Sequence, residues 1–341
     1  MRALITGGIG FIGTNLADRL LRDGHDVVLF DNMGRAGVEE NLRWLEETHG
    51  SRARFVKGDV RDSIAVEKAM KGAEAVFHLA AQVAVTTSVA NPQEDFSINA
   101  QGTVNVLEAA RRQDPMPTFL YTSTNKVYGG LEHLRVIEGP TRYEFENLPD
   151  GVSEKCPLDF HSPYGCSKGA ADQYVHDYHR IYGLPSVVFR MSCIFGPHQF
   201  GTEDQGWVAH FALCGLRGNH LTIYGDGKQV RDLLYVEDLV ELMTRACKNI
   251  QRTAGQVYNV GGGPSKTISV WAELQDLLKT VVDKLPPVDY GEFRPGDQRI
   301  YVSDIRKAQE QLAWTPSVGI AEGLRRMVEA WRRDRKTATV A

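Results

Sequence analysis

A tyrosine and a lysine stand four residues apart in the stretch Phe160-His-Ser-Pro-Tyr-Gly-Cys-Ser-Lys168. If the stretch is helical from about Ser162, Tyr164 and Lys168 share one face, a turn apart. An ammonium beside a phenol favours the phenolate, because an opposite charge stabilises the ionised form. A phenol tuned in this way can take a proton from an alcohol near neutral pH, which a tyrosine ionising at about 10 cannot do. The spacing also occurs on many solvated helices, so the pair gains meaning only beside a second site that needs it.

The N-terminus offers that site. A short apolar run, Met1 to Thr6, meets Gly7-Gly-Ile-Gly-Phe-Ile-Gly13, and a helical apolar pattern follows from Phe11 and Ile12 through Leu16, Leu20 and Leu21. In a strand–turn–helix of this kind Gly7 permits the tight turn, Gly10 lets backbone approach a pyrophosphate, and Gly13 lets the helix pack close to the strand. The pyrophosphate would lie over the helix N-terminus, where free amides and the dipole favour an anion. A second apolar run, Val27 to Phe30, ends in Asp31, 18 residues after Gly13, with Asn32 and Arg35 close behind. An acid there holds a ribose 2′-hydroxyl and repels a 2′-phosphate, so NAD is expected over NADP. Arg35 is near enough to blur that preference.

The G-x-x-G-x-x-G spacing with a downstream Tyr-x-x-x-Lys resembles the extended short-chain dehydrogenase/reductase superfamily. The resemblance implies that Tyr164 is the catalytic base and that Lys168 holds the nicotinamide ribose. It places Asp59 and Val60 beside the adenine and passes the cofactor along Leu79, Ala80, Ala81 and Gln82. Asn99 opens a helix like the superfamily's N-x-x-G-T helix, and Phe11, Ile12, Asn32, Arg35, Thr122 and Met191 complete the expected cofactor contacts. His78 reads as a core histidine rather than a base.

Thr124, in Tyr121-Thr-Ser-Thr-Asn-Lys-Val-Tyr-Gly129, aligns with a hydroxyl that orients the reacting alcohol in sugar-nucleotide epimerases; a cap on the next helix is its plainer role. Nucleotide-sugar 4,6-dehydratases follow that hydroxyl with an Asp-Glu pair. Here Asn125 and Lys126 stand instead, and neither is a carboxylate. This string, the segment Asp159 to Tyr174 and the segment Phe200 to Trp207 resemble the CDP-tyvelose (CDP-paratose) 2-epimerases. That implies inversion of carbon-2 by transient oxidation to a 2-keto sugar, with NAD tightly bound, on a CDP-paratose, CDP-tyvelose or CDP-glucose type of substrate. A UDP-glucose type of 4-epimerase is the alternative, and a 4,6-dehydratase or a non-catalytic NAD-binding protein lies further off. Expected substrate contacts are Ser123, Asn125, Ser192, Gln199, Thr202, Gln205, Val208 and Tyr224. Arg231 and Arg294 match arginines that grip the diphosphate, a task suited to a planar, bidentate guanidinium.

The elements that must position these groups follow from the pattern of the chain. Strand signals at Ala3–Thr6, Val27–Phe30, Arg54–Lys57, Ala75–Leu79, Thr118–Thr122 and Ser186–Arg190 alternate with helix signals over 12–23, 37–48, 63–71, 99–112 and the Tyr164 segment. This alternation predicts an α/β fold with a doubly wound parallel sheet, a Rossmann architecture. Further along, strands are expected at Leu221–Tyr224, Leu233–Val236 and Val257–Val260, and helices at 237–248 and 268–283. The expected division is a cofactor domain, 1–190 with returning segments about 232–262, and a smaller α/β substrate domain, about 191–231 and 263–331. A polar tail, 332–341, is expected to fray.

The chain has 341 residues, 42% apolar and 24% charged, with a formal net charge of −4. That is a soluble globular composition with no bulk attraction to nucleic acid. No apolar run approaches about 18 residues, so no membrane span is expected. The five cysteines are scattered without metal spacing, which points to reduced thiols, a cytoplasmic setting and no metal site. Cys166 reads as a small packing residue. Ala170, Ala171, Tyr174, Val175, Tyr178 and Ile181 form a broad apolar helix face. By resemblance this face pairs with the 99–112 helix across a homodimer or homotetramer.

Overall fold

The first apolar run lies near the middle of the sheet that everything else packs on. The computed structural model describes residues 1–294 and 297–340. Strand β1 (Arg2–Thr6) turns through the glycines into helix α1 (Phe11–Arg22), followed by β2 (Asp26–Asp31), α2 (Val38–His49), β3 (Ala53–Lys57), α3 (Ser63–Met70) and β4 (Ala75–His78). Two short helices, α4 (Val85–Ala90) and α5 (Pro92–Phe96), and a π-helical turn at Ser97–Gln101 lead into α6 (Gly102–Arg111) and β5 (Thr118–Thr124). The hairpin β6 (Val136–Glu138) and β7 (Tyr143–Phe145) precedes the long α7 (Ser162–Tyr182) and β8 (Ser186–Met191). The rest of the chain carries β9 (Cys193–Phe195), α8 (Trp207–Arg217), β10 (Leu221–Tyr224), β11 (Val230–Tyr235), α9 (Val236–Lys248), α10 (Ile250–Thr253) and β12 (Gln256–Val260). It ends in β13 (Thr267–Ser269), α11 (Leu274–Leu278), β14 (Val288–Gly291), β15 (Ile300–Tyr301), α12 (Arg306–Leu312) and α13 (Ile320–Val340).

The main sheet is seven-stranded, in the order β12-β8-β5-β4-β1-β2-β3, and all its pairings are parallel. Strand order reverses between β1 and β4, and ligands of such sheets bind in the crevice outside the carboxyl ends at that switch point. Alternation along β1 sends Ala3 and Ile5 to a core with Leu16 and Leu20 of α1 and Leu239 and Met243 of α9. Leu4 goes to the opposite core, with Val106 and Leu107 of α6 and Ala171 and Val175 of α7. The expected doubly wound α/β fold is therefore the observed one.

A third core, including Phe195, Val208, Phe211, Leu233, Trp271, Leu274 and Met327, gathers the smaller elements. Here the observed elements add detail to the pattern and depart from it over 268–283. The expected strand at Leu233–Val236 is β11, and it pairs with β9, β13 and β15 rather than with the main sheet. The helix expected over 268–283 is a strand followed by a short helix. Ser269 and Glu273 stop the strand by a reciprocal exchange: the Glu273 amide donates to Ser269 Oγ, and the Ser269 amide to the Glu273 carboxylate, each at 2.9 Å. The last helix runs on past Arg332 to Val340, while Ala341 lies outside the described residues.

Helix α7 is fastened to the sheet by a buried ion pair. Arg190 of β8 donates Nε and Nη2 to the two oxygens of Asp172, each at 2.9 Å. Removing one partner strands the other charge in a dry interior. Asp172→Ala should therefore lower the unfolding free energy by about 3–5 kcal/mol, read from urea denaturation.

Candidate active site

Helix α7 begins with proline in its first turn, where a missing N–H costs nothing. Its first turns deliver Tyr164 and Lys168 to the carboxyl edge of β5. Both are buried, at 8% and 3% exposure. The Tyr164 amide donates to Ser88 Oγ at 3.1 Å. The Lys168 ammonium donates to the Thr122 carbonyl at 2.7 Å and lies 4.3 Å from the centre of the Tyr121 ring. Thr124 acts on the Tyr164 phenol and favours its ionised form, and its Oγ1 accepts the Lys126 amide at 3.3 Å. The hydroxyl is thus both a cap and a neighbour of the phenol.

The electrostatics differ from the sequence expectation. Burial pushes the Tyr164 phenol up to about 12; Thr124 opposes this and the Asp95 charge adds to it. Burial also pulls Lys168 down to about 7, against the charges of Asp172 and Asp95. The lysine is not what sets the phenol in the protein alone. Its ammonium is committed to the Thr122 carbonyl, and the dry site penalises its own charge.

The glycine cradle leads to the same place. Gly7 has φ +68°, and a Cβ on it would meet the Ala80 amide nitrogen at 2.9 Å. A Cβ on Gly13 would lie 2.2 Å from the Gly7 carbonyl oxygen, so only glycine lets α1 pack this close. A Cβ on Gly10 would meet the Gly7 oxygen at 3.2 Å and nothing else within 4 Å. Gly10 is the N-cap of α1, no side chain caps it, and the first turn carries no acid, which leaves the amides open to an anion. At the end of β2, Asp31 accepts the Met33 amide at 2.8 Å and the Ile9 amide at 3.4 Å. Burial raises the Asp31 carboxyl, and these bonds and Arg35 oppose the rise.

These parts line one cavity of about 760 Å³ running from the glycine turn past Tyr164 to Trp207. Two buried polar atoms on its wall, Ser123 Oγ and Gln199 Oε1, have no protein partner. The donors, the close-packed glycine turn and the length of the cleft fit a dinucleotide with room for a second ligand. Among the described residues no His, Cys, Asp or Glu cluster could hold a metal ion.

Of the residues expected from the sequence, all line this cavity except Asn99, Tyr224, Arg231 and Arg294. Asn99 lies behind the wall and brackets Gln82: its Oδ1 accepts the Gln82 amide at 2.9 Å, and its Nδ2 donates to the Gln82 carbonyl at 3.0 Å. Arg231 is paired with Asp297 at 2.7 Å, and Lys126 approaches the same oxygen at 3.5 Å. Arg294 lies 3.9 Å over the Tyr224 ring and faces Glu203 and Asp204 at 3.6 and 3.5 Å. Both arginines are thus held by carboxylates, and the Tyr224 hydroxyl is bonded to Glu203.

Asp59 is on the wall but already engaged. Arg61 donates to both its oxygens, at 3.0 and 2.7 Å, and holds its carboxyl down at about 2. Arg61, Lys126, Cys193, Asp204 and Trp207 also line the cavity, although the sequence reading gave none of them a binding role. A basic residue two positions after Asp59 was the one local signal for Arg61. Nothing local marks Cys193, which burial through β9 brings to the wall. His78 is a core residue as expected, between Thr6 Oγ1 at 2.6 Å and Thr103 Oγ1 at 2.9 Å, and burial pulls it down to about 3. Cys166 is exposed rather than packed, because its position on α7 faces away from the sheet.

Lys168 provides a stability test of definite sign. Its folded value of about 7 lies below its ordinary 10.5. Between the two the unfolded chain binds the extra proton, so stability rises with pH across that window. Lys168→Met removes this dependence. In urea unfolding of cofactor-free protein, its stability relative to the parent should be most favourable at and below about 7 and decline towards 10.5.

Residues 3–261 match the model of the NAD dependent epimerase/dehydratase family. The CDP-paratose 2-epimerase of Salmonella typhi is 43% identical over 96% of this chain and 98% of its own length. The crystal structure of a UDP-glucose 4-epimerase from Thermotoga maritima with UDP-glucose superposes with a TM-score of 0.82 at 33% identity, covering 98% of this chain and 99% of that one. A UDP-glucose 4-epimerase from Thermus thermophilus in complex with NAD gives a TM-score of 0.81 at 32% identity, covering 97% of this chain and 99% of that one. The chain belongs to the NAD dependent epimerase/dehydratase family.

Proposed function

We propose that the chain is a nucleotide-sugar epimerase that inverts carbon-2 of a CDP-linked sugar, of the CDP-paratose, CDP-tyvelose or CDP-glucose type. The observation that carries this reading is that Thr124 and the buried Tyr164 and Lys168 share one cavity wall with Asn125 and Lys126. A base and an orienting hydroxyl are together, and no carboxylate stands in the two positions after Thr124 to eliminate water. The likeness to the Salmonella typhi CDP-paratose 2-epimerase supports the choice of carbon-2 and CDP.

In this reading Gly7, Gly10, Gly13 and Asp31 hold the dinucleotide, with Arg35, Val60 and the Leu79–Gln82 backbone along its length. NAD held there would supply reversible hydride acceptance, turning a sugar carbinol into a ketone and restoring it from the other face. Tyr164 takes the hydroxyl proton, and Thr124 orients that hydroxyl toward the phenol. Lys168 keeps a positive charge beside the base and holds the ribose. Burial holds the phenol above its ordinary value in the protein alone, and only added positive charge beside it would favour the phenolate. Ser123 and Gln199 offer their unpartnered oxygens to ligand donors. Arg231 and Arg294 reach the diphosphate by exchanging Asp297, Glu203 and Asp204 for phosphate oxygens.

The division into a cofactor part (1–190 and about 232–262) and a substrate part (about 191–231 and 263–331) belongs to the same reading. It is supported by the separate core around Phe211 and Trp271. So does a cytoplasmic homodimer or homotetramer. Ala171, Val175 and Tyr178 of α7 face the sheet, but Tyr174, Ile181 and Tyr182 remain 50%, 64% and 46% exposed. No described helix is long and apolar enough to cross a membrane.

With a CDP-sugar deuterated at carbon-2, product NMR should show inversion there with the deuterium retained. Solvent hydrogen at carbon-2 overturns the mechanism, inversion at carbon-4 points to the UDP-glucose type of 4-epimerase, and a 4-keto-6-deoxy product points to a dehydratase. Tyr164→Phe should lower turnover at least about 100-fold while NAD stays bound. Light scattering should give a mass of at least a dimer, and a monomeric mass would contradict the assembly.

A further inference from the structure

Beneath Tyr164 and Lys168 lies a carboxylate to which the mechanism above gives no task. Asp95, in the short helix α5, is 1% exposed. Its Oδ2 accepts from Ser167 Oγ at 2.5 Å. Its Oδ1 accepts from Asn99 Nδ2 and from Gln82 Nε2, each at 3.1 Å. Ser167 sits between Tyr164 and Lys168 on α7, and its Oγ lies 3.2 Å from the Tyr164 carbonyl. Gln82 is part of the cavity wall. One buried carboxylate therefore ties the loop after β4 to the turn of α7 that carries the base.

These three donors are neutral. A buried anion served by neutral donors alone still needs a counter-charge nearby. Asp172, one turn beyond Lys168, differs in giving both its oxygens to Arg190. Lys168, for its part, donates to a neutral carbonyl. We propose that Asp95 is a positioning residue and the through-space counter-charge of Lys168. It keeps the ammonium protonated at the floor of the cavity and holds Ser167, and with it Tyr164, in register with Gln82.

The ionisable groups facing Lys168 are Tyr164 and Asp172 on its own helix, Asp95 on α5, His78 at the end of β4 and Tyr121 on β5, with Arg190 of β8 behind Asp172. Both carboxylates favour the Lys168 cation, and Asp95 also disfavours the Tyr164 phenolate. Removing the Asp95 charge must therefore move both ionisations the same way, to lower pH. Loss of a structural hydrogen bond alone moves neither.

The test is Asp95→Asn in the NAD-bound enzyme, which keeps the shape and removes the charge. Without any sugar, the phenolate absorbance of Tyr164 is isolated as the difference from a Tyr164→Phe version of the same background. The expected result is a phenolate transition at lower pH than in the parent, with both limbs of the turnover profile displaced in the same direction. Ser167→Ala, which cuts a hydrogen bond to Asp95 and keeps its charge, should leave the transition in place. An unmoved transition in Asp95→Asn, or an equal displacement in Ser167→Ala, overturns the proposal. Asp95→Ser takes the place of Asp95→Asn, with the same outcomes, if the latter does not accumulate as folded protein. The turnover arm rests on the epimerase reading. A displaced phenolate transition with no sugar inverted would sink that reading and leave the role of Asp95 standing.

Discussion

The constraint on which the site depends is the burial of one ammonium group. Lys168 is removed from water at the carboxyl edge of the sheet, and the fold has to supply what water would have given. The Thr122 carbonyl accepts a hydrogen bond at 2.7 Å, and the Tyr121 ring lies 4.3 Å away. Two carboxylates, Asp172 and Asp95, supply charge. Supplying these groups requires β5, α5 and α7 to meet at one point, and the Arg190–Asp172 pair fixes α7 against β8 so that they do. The depressed lysine and the raised phenol share one physical cause, a site drier than either charge prefers.

The same dryness gives the cavity its character. The switch point between β1 and β4 opens a cleft that the sheet cannot close, and the glycine turn keeps side chains out of it. Polar atoms on its wall without protein partners, Ser123 Oγ and Gln199 Oε1, carry a cost that a ligand would relieve. On the side of the smaller core the charges are instead satisfied internally, with Arg231 on Asp297 and Arg294 between Glu203 and Asp204. The cavity side keeps unpartnered polar atoms on its wall, whereas the side of the smaller core holds its cations on acids.

What the sequence determined by itself was local. The glycine turn was legible because a Cβ on Gly7 or Gly13 would collide with backbone. Asp31 at the end of β2 and Tyr164 and Lys168 a turn apart followed from strand and helix periods, which depend only on neighbours in the chain. The alternation of apolar runs likewise settled the doubly wound sheet. What the tertiary structure alone decided was the company each side chain keeps. Lys168 was expected to tune Tyr164 but is itself depressed, because burial depends on how α7 lies on β5. Arg231 and Arg294 were matched to diphosphate-gripping arginines, and both are engaged by acids distant in sequence. Ser269 ended a strand where helical periodicity predicted a helix, because β11 was there to pair with it. Desolvation and long-range charge pairing are properties of the packed interior, and no window of sequence contains them.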